Sequence, residues 1–192
     1  MMPIYRIASR LGLTMKKWHL IILTSCILTG CNLSLHDALQ LKAMKSRPIC
    51  FPPSLQMTIG GDTYDFNRIP AGIKLIVYAD SSICNSCLVS KLEKYHAFEH
   101  NKDCNLSVVF ILAPKGTERE SVLHELSLFE HIFPVYFDRA FDFLKENTHI
   151  PKDPRYHIFL VDTSNVPVFV GDPASNETMM NMFYRKLQSI SK

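Results

Sequence analysis

Beyond the first thirty residues the sequence lacks any long apolar run, which excludes a multi-span membrane protein. Seven Gly and eleven Pro among 192 residues are too few for a low-complexity or collagen-like chain. Acidic residues are missing from one place: residues 1–31 hold Arg6, Arg10, Lys16 and Lys17 but no Asp or Glu. Without those four of the 21 basic residues, 17 remain against 18 acids, so the net charge of +3 belongs to the N-terminal segment. The rest carries no basic patch of the kind nucleic acid requires, so no nucleic-acid partner is expected. Nucleotide-binding motifs, a Ser-His-Asp hydrolytic pattern and internal repeats are also absent. What is present is an ordinary globular balance, 47% hydrophobic and 20% charged, with twelve Phe and seven Tyr to fill a core. One folded domain plus a leader is the expected organisation.

Met15-Lys16-Lys17 opens a basic segment, and residues 18–28 (WHLIILTSCIL) form an apolar run too short to span a bilayer as a mature helix. The run ends in Leu28-Thr29-Gly30-Cys31, which resembles a bacterial lipobox. That resemblance implies cleavage before Cys31 and acylation of its thiol, with Met15 as the true start and residues 1–30 as leader. The implied location is the cell envelope, facing the periplasm. Asn32, rather than an aspartate, follows the cysteine, so the outer membrane is preferred to the inner. Several acyl chains suffice for stable attachment. Residues 31–47 then form a tether, either a short helix or a flexible stalk, and residues 48–192 the folded domain.

Along the body, Gly60-Gly61-Asp62 marks a turn between two short β segments, an N-terminal hairpin. Residues 73–79 (IKLIVYA) and 106–113 (LSVVFILA) read as buried strands, and Val135 to Phe137 as a short third one. Leu88, Leu92, Tyr95 and Phe98 recur at helical spacing. Helices are also expected over 118–130 and, for a turn or two, over 140–147. Residues 157–162 and 166–170 form a closing hairpin. Ser175 is expected to cap a last helix whose Met179, Met182, Phe183 and Leu187 share a face. Strands alternating with helices predict a central mixed sheet, parallel in its first half.

The chemistry-bearing motif is Cys84-Asn85-Ser86-Cys87, between a buried strand and a helix. At a helix start, unsatisfied N–H groups and the macrodipole favour a thiolate, so the pKa of Cys84 should be lowered. Cys87, one turn on, would resolve a mixed disulfide. A structural disulfide and a pair of unreactive buried thiols are the competing readings. Zinc is not expected: Cys87 and His96, nine residues apart on one helix, would face opposite sides and lie about 13 Å apart along its axis. Cys50, in an apolar segment, reads as a small core residue and Cys104, in NKDCN, as exposed; a Cys50–Cys104 disulfide is the alternative.

The IVYADSSICNSC segment, the VVFILAP and FPVYFD strands and the HIFLVDTSNVPVFVG hairpin together resemble the bacterial membrane-anchored thioredoxin-like proteins over residues 49–190. The resemblance implies an α/β thioredoxin-like fold, a central mixed sheet flanked by helices, with the β-hairpin as an N-terminal extension. It implies Cys84 as attacking and Cys87 as resolving cysteine of a thiol-disulfide oxidoreductase. Its cofactor would be the redox-active disulfide alone, and its partners envelope protein thiols and disulfides. A monomer is expected. The alternative is a non-catalytic thioredoxin-like lipoprotein that binds other envelope proteins. The family's cis-proline lies six residues before the aspartate ending the penultimate strand; here that position is Tyr156. Tyr156, Asn85 and Ser86 are therefore the substrate-groove candidates, and Tyr156 should enter its strand through a trans peptide bond.

Overall fold

The computed structural model describes residues 35–60, 62–64, 68–80, 89, 92–99, 105–116, 118–128 and 134–191. By chain contacts it divides into residues Met1–Leu41 and Lys42–Lys192. Helix α1 covers residues 35–44, across that division.

In the second unit the chain runs through β1 (Gln56–Ile59), β2 (Asp62–Thr63), β3 (Ile73–Ala79), α2 (Leu92–His96), β4 (Leu106–Leu112) and α3 (Glu118–Ser127). It continues through β5 (Pro134–Phe137), α4 (Asp142–Glu146), a 3₁₀ turn (Pro154–Tyr156), β6 (Ile158–Val161), β7 (Pro167–Val170) and α5 (Glu177–Ile190). One seven-stranded sheet has the order β2-β1-β5-β4-β3-β6-β7. Strands β3, β4 and β5 are parallel, and β1, β6 and β7 join antiparallel. This is the α/β thioredoxin-like arrangement: a parallel strand–helix–strand unit, an antiparallel closing hairpin and a last helix. Hairpin β1–β2 is added at its N-terminal side.

Every residue of β3 is buried, as a β-branched run covered on both faces requires. Its odd-numbered residues, Ile73, Leu75, Val77 and Ala79, join one hydrophobic cluster with Leu92 and Tyr95 of α2, Val122 and Leu126 of α3, and Phe183 and Leu187 of α5. On the other side Tyr78 stacks on Phe143 of α4, ring centroids 5.0 Å apart. Burying each such large side chain stabilises the fold by about 1.5–3 kcal/mol. Lys74 breaks the apolar pattern yet is only 3% exposed. Its Nζ donates to the Gly72 carbonyl at 2.6 Å, and burial pulls its pKa down.

Two details differ from the sequence reading. Asn176, not Ser175, caps α5, its side chain accepting from the Met179 N–H at 3.0 Å. Asp172 holds residues 172–175 as a turn by accepting from the Ala174 N–H, which delays the helix by one residue. Met182 is not on the buried face: it is exposed, while Phe183 and Leu187 carry the packing and Met179 is partly buried.

Candidate functional site

Strands β3, β4 and β5 run parallel, so Ala79, Leu112 and Phe137 end at one edge of the sheet. In open α/β sheets such carboxyl-terminal edges hold the ligand and catalytic loops. The chain leaves β3 through half-buried Asp80 and re-enters described structure at the buried Val89. Cys84, Asn85, Ser86 and Cys87 lie between them, outside the described residues, as do Cys31 and Cys104.

At this edge the structure describes the ends of β3 and β5 and the turn that enters β6. The Tyr78 N–H donates to the His157 carbonyl at 3.0 Å, which sets His157 beside the end of β3. The two rings meet edge to face, centroids 5.2 Å apart. His157 is fully buried. Its Nε2 lies 3.1 Å from the Pro151 carbonyl, and its Nδ1 has no hydrogen-bond partner among the described residues. Burial lowers its pKa, while the Pro151 carbonyl and the charges of Asp80 and Asp153 oppose the shift. Burial pushes the Tyr78 hydroxyl well above its ordinary value, and the charges of Asp138 and Asp80 add to the rise.

Asp138 follows β5 directly and is fully buried. Its N–H donates to the Leu112 carbonyl at 2.8 Å. Its carboxylate accepts from the N–H groups of Asp142 and Phe143 at 2.9 and 3.0 Å, fastening the start of α4. Burial raises its pKa, with the two N–H donors opposing. On the helix side, the Tyr95 hydroxyl bonds to the Asp172 side chain; burial first, then the Asp172 charge, drives its pKa up.

Tyr156 is 6% exposed in the 3₁₀ turn that leads into β6. Asp153 caps this turn, accepting from the Arg155 N–H at 3.0 Å and pairing with the Arg155 guanidinium at 2.8 Å. The Arg155 guanidinium lies 5.7 Å from the centre of the Tyr156 ring. There is no cis peptide bond among the described residues, so the Arg155–Tyr156 bond is trans as expected. The aromatic ring thus occupies a packed position next to His157 at the entry to β6.

Cys50 overturns its expected core role: it is exposed, with a free thiol, while Cys104 lies outside the described residues. Pro52-Pro53 follow it and the strand begins only at Gln56, so Cys50 never enters the sheet. Its Sγ donates to Glu146 Oε2 at 3.1 Å. Its backbone is clasped by Asn147, whose Oδ1 accepts from the Cys50 N–H and whose Nδ2 donates to the Cys50 carbonyl. Sequence reasoning also missed His157 and Asp138. The available signal was a titratable residue abutting each of two strongly apolar strands.

No family model and no curated protein matches the chain. Solved structures with a similar arrangement include an uncharacterized thioredoxin-like protein from Porphyromonas gingivalis. It is 14% identical with a TM-score of 0.42, over 75% of this chain and 94% of that one. A candidate protein disulfide isomerase from Bacteroides thetaiotaomicron is 12% identical with a TM-score of 0.45, over 76% of this chain and 90% of that one.

Proposed function

We propose that the chain is a thiol-disulfide oxidoreductase of the bacterial cell envelope, anchored through lipid on Cys31 and working through Cys84 and Cys87. The observation that carries this reading is the connection of β3: a fully buried strand of a thioredoxin-like sheet ends at Ala79, and the Cys84–Cys87 motif precedes the buried Val89 and helix α2. In the proposed exchange the Cys84 thiolate attacks a substrate disulfide, forming a mixed disulfide and releasing one substrate thiolate. The Cys87 thiolate then attacks the Cys84 sulfur, releasing the second and leaving the Cys84–Cys87 disulfide. A dithiol of the envelope reverses the cycle. A Cys87→Ser variant, which cannot resolve, should accumulate mixed disulfides with envelope proteins. Absence of any Cys84-linked adduct would count against exchange.

One observation favours the second reading, a non-catalytic binding module. Tyr156 is buried where the resemblance calls for a substrate-clamping proline. The redox potential separates the two. A catalytic pair should lie between about −120 and −270 mV, and a structural staple below about −300 mV.

A further inference from the structure

The outer face of α1 is apolar where a solvated helix would be polar. Met44 is fully buried and Gln40 and Leu41 are half-buried, whereas Leu35 and Leu39 are 58% and 57% exposed. At 100° per residue, Leu35, Ala38, Leu39 and Lys42 fall on one stripe opposite Met44, and all four are exposed. Lys42, Lys45 and Arg47, all exposed, follow at the C-terminal end of the stripe. A pair of exposed leucines bordered by cations is the pattern of a surface that rests on lipid: the side chains enter the acyl boundary while the lysine stems reach the headgroups.

We infer that this stripe lies on an anionic phospholipid surface, with Leu35 and Leu39 in the interface and Lys42 and Lys45 against the phosphates. The inference rests on the anchoring reading and deepens it. Four residue steps separate Cys31 from Leu35, so an extended connection spans at most about 14 Å. An acylated Cys31 therefore keeps the start of α1 within reach of the headgroups. Each basic side chain near an anionic surface adds attraction that decays within a Debye length. Lipid on Cys31 would fix position, and the stripe would fix orientation.

Trp18, the one tryptophan of the chain, lies in the leader, so a processed chain has no tryptophan background. The test is the full chain carrying Leu39→Trp, processed in a bacterial host and reconstituted in phosphatidylethanolamine–phosphatidylglycerol vesicles. Its emission should be blue-shifted and quenched by brominated acyl chains. A Met182→Trp reporter on the exposed side of α5 should be neither. Lys42→Glu with Lys45→Glu should weaken the quenching on these vesicles and leave it unchanged on phosphatidylcholine vesicles. Intact mass reads the anchor separately. An acylated chain whose Leu39→Trp emission is water-like overturns the surface inference alone. A blue shift without lipid quenching means that protein, a second copy or a partner, covers the stripe, and also overturns it. An unacylated chain that retains Trp18 overturns the anchoring reading and this inference with it.

Discussion

Single side chains in this protein set how its stability responds to pH. Buried His157 and half-buried His149 both titrate below the ordinary histidine value because desolvation disfavours the charged ring, with the Arg47 charge adding to the shift at His149. Below pH 6.5 the unfolded chain binds protons that the folded chain refuses, so stability is complete above that pH and is lost as pH falls through the shifted values. The denaturant midpoint should therefore fall as pH drops below the ordinary histidine value of 6.5, and His157→Gln should flatten that fall. Asp138 acts in the opposite direction at lower pH: its raised pKa makes the folded chain the better proton acceptor just above the carboxylate value of 3.8. Asp138→Ala orphans two N–H groups at the start of α4 and should cost about 1–3 kcal/mol in chemical denaturation, with Asp138→Asn recovering part. Cys50 is exposed, yet its thiolate would face the Glu146 carboxylate, which raises its pKa. Its alkylation at neutral pH should be slower than that of an unperturbed thiol, and Glu146→Gln should accelerate it, as followed by mass spectrometry.

At the scale of elements, α5 offers the sharpest tests. Asn176→Ala removes its cap and should lower stability by about 0.5–2 kcal/mol. Gly171, with φ +137°, precedes the capping turn, and a Cβ there would sit 2.1 Å from the Met179 methyl. Gly171→Ala should cost at least about 1 kcal/mol. Adding Met179→Ala should relieve the collision but not the backbone strain, so recovery should be partial in thermal unfolding. The strands were legible in the sequence because β3 and β4 are buried on both faces and read as unbroken apolar runs. Their parallel pairing followed from the intervening helix. The start of α5 was misread by one residue because Ser175 and Asn176 are both good caps, and only the Asp172 turn decides between them. Of the site, the position of Tyr156 could be counted back from Asp162. The burial of His157 could not, since it depends on Pro151 and Tyr78 meeting it from different parts of the chain. Cys50 was misjudged because an apolar neighbourhood in sequence does not by itself bring a residue into a sheet.

For the whole molecule, the anchoring proposal makes a direct prediction: Cys31→Ala should leave the protein released or mislocalised on membrane fractionation. No helix among the described residues is long and apolar enough to cross a membrane. Were the chain exported across a membrane N-terminus first, as the anchoring proposal requires, the sheet order would have its own consequence. β3 is hydrogen-bonded on one side to β4 and on the other to β6, and β1 waits for β5. Until Ile158–Val161 emerges, β3 presents an open edge that any extended neighbour could pair with. In the finished sheet the outer strands are β2, only two residues long, and β7, which begins at Pro167. Both are poor templates for strand addition. The period of greatest aggregation hazard therefore falls during emergence, before the last third of the chain arrives, and slowing translocation of that third should increase losses more than heating the native protein mildly does.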